Sequence, residues 1–214
     1  MSRKIGNICI ILGTALLLGA LSLSLHNRSE DEAARQASNE HLAQLVQMLS
    51  EASPAVTDEG QPEPDWLAQQ VLAPKDLLTE EDLKMTETVI DGYAYIGYLS
   101  MPTLGLELPV LSDWDYTKLN IAPCRYHGTL RGEDLVIMAH NYSCHFGPIS
   151  RLQEGDEVLF VDMDGILTRY QVVGSDILNP FSSREITAGL YDLTLFTCTY
   201  GGKSRVTVYC NREK

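Results

Sequence analysis

Positive charge is scarce where a nucleic-acid binder would need it: residues 93–214 hold 10 Lys/Arg against 14 Asp/Glu, with no basic cluster among them. Without such a cluster nothing neutralises a phosphate backbone, which excludes nucleic-acid recognition as the main activity. Cysteine is equally sparse, five in 214 residues, and Cys9 lies in an apolar run. The other four, Cys124, Cys144, Cys198 and Cys210, allow three pairing schemes, but disulfide-dependent secreted scaffolds use many more, so free thiols are expected. There is no internal repeat, and no low-complexity tract outside one proline-rich segment, so the chain is not an array of stacked copies. What remains, at 44% hydrophobic content, is enough for one medium domain with appendages.

The formal charge of −13 is unevenly spread, because residues 27–92 carry 15 acids and only 4 bases. The acidity therefore belongs to a stalk rather than to the C-terminal half. Before the stalk, residues 5–25 (IGNICIILGTALLLGALSLSL) form a 21-residue stretch without a charge, close to the roughly 20 residues that cross a hydrocarbon core. Arg3 and Lys4 precede it, and Glu30, Asp31 and Glu32 follow soon after Arg28. This bias favours a cytoplasmic N-terminus with everything beyond residue 26 outside. The competing reading is a cleaved signal peptide, because Gly19, Ala20 and Ser22 lie near the end of the run. Both readings export the domain.

Residues 26–52 are rich in helix formers, with Leu42, Leu45, Val46 and Leu49 on one face and acidic residues in the expected first turn, where they suit the helix dipole. This juxtamembrane helix either packs on the domain or on another copy, or is a solvated spacer. Residues 53–76 contain Pro54, Pro62, Pro64 and Pro74, which exclude a continuous helix and favour an extended acidic linker. The domain then occupies residues 77–214, behind a cytoplasmic tip of residues 1–4. Its start is either linker or a first helix beginning near Thr79.

Beyond Gly92 the texture changes to short β-branched or alternating runs separated by Gly, Pro, Asn and Asp. The expected strands cover residues 93–100, 106–111, 134–140, 157–162, 167–173, 193–198 and 204–210, with a short helix over 113–119. Seven or eight short strands with little helix predict a closed β-barrel, which leaves no exposed sheet edge. Asp164-Gly165 and Gly201-Gly202 are the clearest hairpin turns.

The second of these turns has a chemical consequence. If Gly201 and Gly202 are the two loop residues, Cys198 faces Arg205 across the hairpin, with Cβ atoms about 4.5–5.5 Å apart. A guanidinium beside a thiol favours the nucleophilic thiolate, and it offers N–H donors to an oxyanion on an attacked carbonyl. The alternative is an ordinary buried cysteine beside a surface arginine. His140, at the end of the apolar run LVIMA, is a candidate proton carrier at a strand end opening into a loop. A lone histidine there is as readily structural. His140, Cys144 and His145 could be read as metal ligands, but a tetrahedral site needs a fourth ligand or an open water, so no metal is expected. Cys144 is read as an exposed loop cysteine, Cys210 as an apolar filler, and Asp162 with Asp164 as a polar hairpin tip.

The strings LTLFTCTYGGKSR (193–205) and LVIMAHNYSCHFGPISRL (135–152) resemble the two signatures of the sortase family. In that family a T-L-x-T-C strand presents the nucleophile, the next strand supplies an arginine, and an earlier apolar strand ends in a histidine. The resemblance covers roughly residues 96–211. It implies an eight-stranded barrel with short helices, preceded by the transmembrane helix and the helical and Pro-rich stalk. It further implies a cysteine transpeptidase with Cys198 as acylating nucleophile, His140 as general acid/base and Arg205 as stabiliser of the carbonyl or oxyanion. Thr197, Asn141 and Tyr142 are expected at the groove or behind it, and the loops 124–133 and 179–189 are expected to shape it. No cofactor is required. The implied partners are surface proteins with LPxTG-like sorting signals and an amine acceptor, either a lipid-linked peptidoglycan precursor or a pilin lysine. Ala139 departs from the glycine common before the histidine, and six residues between Cys198 and Arg205 are few. The Phe-Gly loop points to class B and the short connection to other classes.

Overall fold

The computed structural model describes residues 2–52, 79, 81 and 83–213. The Pro-rich segment 53–76 and the expected domain start at residue 77 lie outside the described residues. Near Thr79 the chain makes isolated turn bonds, from Leu83 N–H to the Thr79 carbonyl and from Lys84 N–H to the Glu81 carbonyl.

Nine strands follow: β1 (Thr88–Ile90), β2 (Tyr93–Met101), β3 (Leu106–Leu111), β4 (Cys124–His127), β5 (Leu135–Ala139), β6 (Glu157–Asp162), β7 (Leu167–Leu178), β8 (Leu193–Cys198) and β9 (Arg205–Arg212). Their order is β1-β2-β3-β4-β5-β8-β9-β7-β6, and β6 pairs back onto β2. Strands β2 to β9 therefore close an eight-stranded barrel, with β1 appended to the start of β2. Closure brings backbones together at Gly97, where an added Cβ would stand 2.1 Å from the Val161 carbonyl oxygen. Only glycine fits that crossing. The interior is filled by Ile96, Leu99, Leu135, Ile137, Phe146, Phe160, Leu193, Leu195 and Val208, all fully buried. Burial of this many large apolar side chains is the main favourable term for the barrel.

Two strands escaped the sequence reading. β1 is three residues long, and β4 (CRYH) carries no apolar alternation. The helix expected over 113–119 is not formed: Asp115 Oδ1 accepts the Thr117 and Lys118 amides and closes a turn, and only a 3-10 turn at Lys118–Asn120 follows. Asp115 thus caps a single turn, in which the Leu119 amide donates to the Asp115 carbonyl, and the turn is not extended into a longer helix. At the Asp164-Gly165 hairpin, Asp162 Oδ1 accepts the amides of Asp164 and Ile166, and Gly165 takes φ 77°.

The N-terminal part is one unbroken helix, α1 (Ser2–Ala52), long and apolar enough in its first half to cross a membrane. Because it has no break near residue 29, Glu30, Asp31 and Glu32 are mid-helix residues, and the expected dipole role does not apply to them. Its buried face is also displaced from the expected leucine stripe: Val46 is exposed, while Ala34, Ser38, His41 and Leu45 are buried. With Asp31 these residues form a seam spaced three and four apart, the spacing of one helix face. His41 fixes the seam to the barrel, its Nδ1 lying 2.7 Å from the Tyr95 hydroxyl and its Nε2 3.4 Å from Asp91.

Candidate active site

Three neighbouring strands converge on Cys198. β5 runs parallel to β8 with Ala139 opposite Thr197, and β9 runs antiparallel to it with Arg205 opposite Cys198. β5 ends at the Ala139–Thr197 pair, and His140 and Cys198 are the next residues of the two chains. Leu193 and Leu195 are core residues and Phe196 joins a cluster with Val136 and Ile186. By alternation Cys198 lies on the outer face with Phe196, and it is partly exposed.

The 198/205 pairing predicted from the sequence is present, but the turn that sets it differs. Tyr200–Gly202 form a 3-10 turn in which the Gly202 amide donates to the Thr199 carbonyl, with φ 78° at Gly201 and 70° at Gly202. The Thr199 N–H donates to the Ser204 carbonyl, and the Ser204 amide donates to Thr199 Oγ1, so side chain and backbone together hold the register. Arg205 Nη1 donates to the carbonyls of Gly202 and Ser204, at 3.3 and 3.2 Å. These bonds hold the guanidinium against the turn that follows Cys198.

Thr197 is buried and donates to the Ala139 carbonyl at 2.8 Å. It therefore does not line the groove; it locks β8 to β5 one residue before both Cys198 and His140. Asn141 and Tyr142 do line a cavity of about 1030 Å³ together with Cys198, Thr199, Tyr200 and Pro148. Neither the 124–133 nor the 179–189 segment borders it. The first begins as β4, and the second contains a short helix, α2 (Ser183–Ile186). The cavity's other wall is α1, through Ala20, Leu23, Ser24, Asn27, Glu30 and Asp31.

His140 is partly buried and packs against the Tyr142 ring at 5.1 Å. Burial pulls its pKa below the usual 6.5, and Glu30 of α1 pushes it back up in part. The imidazole is thus held neutral, able to take a proton. The loop that follows folds back on itself: the Phe146 amide donates to the His140 carbonyl, and the His145 and Gly147 amides donate to the Tyr142 carbonyl. At Gly147 an added Cβ would come within 2.7 Å of the Asn141 and Tyr142 carbonyl oxygens, which explains the glycine after Phe146. The hydroxyl of Tyr142 donates to Asn120 Oδ1 at 3.1 Å.

The remaining described cysteines are free thiols. Burial pushes Cys124 and Cys210 up to about 12, so neither supplies a thiolate. Cys144 is not the exposed loop residue expected: it is 6% exposed and its thiol donates to the Asp31 carbonyl at 3.4 Å. Burial and the Asp31 carboxylate raise it to about 12. Glu30 and Asp31 are the residues at this site that sequence reasoning missed. For Asp31 the available signal was the seam of small and polar residues at 20, 24, 27, 31, 34, 38 and 41, regular at three-and-four spacing but without apolar contrast.

Comparison with known proteins agrees with this geometry. The family model of the sortase domain matches residues 99–213, more than half of the chain. Among solved structures, sortase C1 from Streptococcus agalactiae is 23% identical with a TM-score of 0.52, over 64% of this chain and 78% of that one. Sortase A from Corynebacterium diphtheriae is 21% identical with a TM-score of 0.51, over 88% and 84%. A Clostridium perfringens sortase D5 transpeptidase is 18% identical with a TM-score of 0.51, over 65% and 92%. No curated protein matches significantly. The closed eight-stranded barrel is shared with these structures, and the chain belongs to the sortase family of cysteine transpeptidases.

Proposed function

We propose that the chain is a membrane-anchored sortase that cleaves an LPxTG-like sorting signal through a thioester on Cys198 and passes the acyl group to an amine. What supports this reading is the register of three strands: Arg205 on β9 is opposite Cys198, and Ala139 at the end of β5 is opposite Thr197, one residue before His140 and Cys198 in their chains. Neutral His140 takes the thiol proton as the sulfur attacks the carbonyl carbon before the scissile bond. Arg205 Nε and Nη2 are left unbonded among the described residues and donate to the oxyanion. The C–N bond then breaks as His140 returns its proton to the leaving amine, and the thioester remains. An incoming amine attacks that thioester, loses a proton to His140 and expels the sulfur. The acceptor class is the amine of a lipid-linked peptidoglycan precursor or a pilin lysine. Residues 5–25 anchor the enzyme with its N-terminus in the cytoplasm and its barrel outside, supported by the apolar half of α1 and the flanking charges.

Intact-protein mass spectrometry with a panel of LPxTG-like peptides tests the reading. An adduct at Cys198 is expected, abolished in Cys198→Ala and discharged by an added amine into an amide product. Discharge to the free acid alone would make the enzyme a hydrolase, and an adduct that survives Cys198→Ala would remove this thiol from the mechanism.

A further inference from the structure

The loop after His140 is held from outside the barrel. Asp31, on the seam of α1, accepts the Ser143 amide at 2.7 Å on Oδ1 and the Ser143 hydroxyl on Oδ2. The Cys144 thiol reaches the Asp31 backbone carbonyl at 3.4 Å and its Oδ1 at 3.7 Å. Arg35, one turn further along α1, stands 3.8 Å from Asp31 Oδ2. The contact spans 112 positions in sequence and ends one residue from Tyr142, whose ring packs on His140. From Asp31 toward the N-terminus, the same seam supplies Asn27, Ser24 and Ala20 to the cavity opposite Cys198.

We propose that Asp31 is a positioning residue for His140: by pinning Ser143 it fixes the 141–147 loop and makes α1 the second wall of the catalytic groove. The inference rests on the function proposed above. A carboxylate that accepts one amide and one hydroxyl of the same residue fixes both position and orientation of that residue, as charge-assisted bonds do. Tyr142 then has one conformation, tied also to Asn120, and the imidazole packed on it has one as well. The loop's own bonds, Phe146 N–H to the His140 carbonyl and Gly147 N–H to the Tyr142 carbonyl, carry the constraint back to the end of β5. The barrel alone leaves the groove with one side.

The test uses the full chain in nanodiscs, with Asp31→Ala, the isosteric Asp31→Asn, Ser143→Ala and the Asp31→Ala/Ser143→Ala double variant. With a peptide that acylates Cys198, Asp31→Ala is expected to lower kcat by about tenfold to a hundredfold, the scale of misplacing a catalytic group by an ångström. KM should move much less, Asp31→Asn should fall between the two, and the double variant should be no worse than Asp31→Ala. The second readout needs no turnover. Alkylation of Cys144 by iodoacetamide, located by peptide mass spectrometry, should accelerate in both Asp31 variants, because the staple holds that thiol covered. Wild-type kcat in Asp31→Ala, a rise confined to KM, or unchanged Cys144 alkylation each overturns the proposal. If the wild type forms no acyl adduct at Cys198, the proposed function fails, and Cys144 alkylation still decides whether the staple holds the loop.

Discussion

In the proposed mechanism His140 and Arg205 have different physical tasks, and each yields its own expectation. Burial holds the imidazole below its usual pKa, so its neutral form persists below pH 6.5. The acidic limb of kcat/KM should therefore fall beneath that value. Glu30 favours the imidazolium, so Glu30→Gln should move the limb further toward acid, as measured in pH–rate profiles of the full-length protein. A shift toward base would contradict this assignment of the limb. For Arg205, a forked donor fixed by two backbone carbonyls is not interchangeable with a single ammonium. Arg205→Lys should lower the acylation rate by about two orders of magnitude, the scale of losing one oxyanion donor, with little change in thermal stability. The pairing of Cys198 with Arg205 was legible in the sequence because antiparallel register follows from loop length. The Asp31 contact was not, since nothing in a helix's own pattern says which distant amide a carboxylate will meet.

Elements matter here through their junctions. The loop between β5 and the rest of the barrel closes on Gly147, where a methyl group would collide with two carbonyl oxygens. Gly147→Ala should cost roughly 1–3 kcal/mol by overpacking and slow acylation together, by thermal unfolding and by mass-spectrometric adduct formation. Stability lost without any effect on acylation would separate the loop from the chemistry. Strands with alternating apolar residues, such as β6 and β8, were readable from the sequence. β1 and β4 were not, because a three-residue strand and a polar one acquire their pairing from neighbours rather than from their own composition. The segment 113–119 falls short of the expected helix for a related reason: Asp, Trp, Tyr and Thr are weak helix formers, and the turn capped by Asp115 ends at Asn120.

For the molecule as a whole, one buried group should make a large contribution to acid sensitivity. His145 is 0% exposed and among the described residues neither ring nitrogen completes a hydrogen bond, though the Ile121 backbone approaches it. Burial, reinforced by His140, lowers its pKa from 6.5 to about 4. The folded state therefore binds fewer protons than the unfolded chain between these values. Stability is retained above 6.5, declines as pH falls and reaches its full loss below about 4, amounting to about 3 kcal/mol. His145→Leu removes that proton site and should flatten the decline of Tm with acidification; an unchanged slope would place the acid sensitivity elsewhere. The barrel as such was foreseeable, since many short strands and few helices have few other ways to hide their edges. The return of α1 onto the barrel was not foreseeable, because the contrast along its face is between small and large residues rather than between apolar and polar.

With its apolar half in a bilayer, an unbroken α1 is a mast rather than a tether. Leu25 and Asp31 are six helical steps apart, about 9 Å of rise, so the height and heading of the loop that Asp31 holds, relative to the end of the apolar run, are set by the rod itself. Lengthening the chain between residues 52 and 79 should then leave the enzyme's reach unchanged, whereas inserting two residues between Leu25 and Asp31 would turn the sulfur to the far side of the mast.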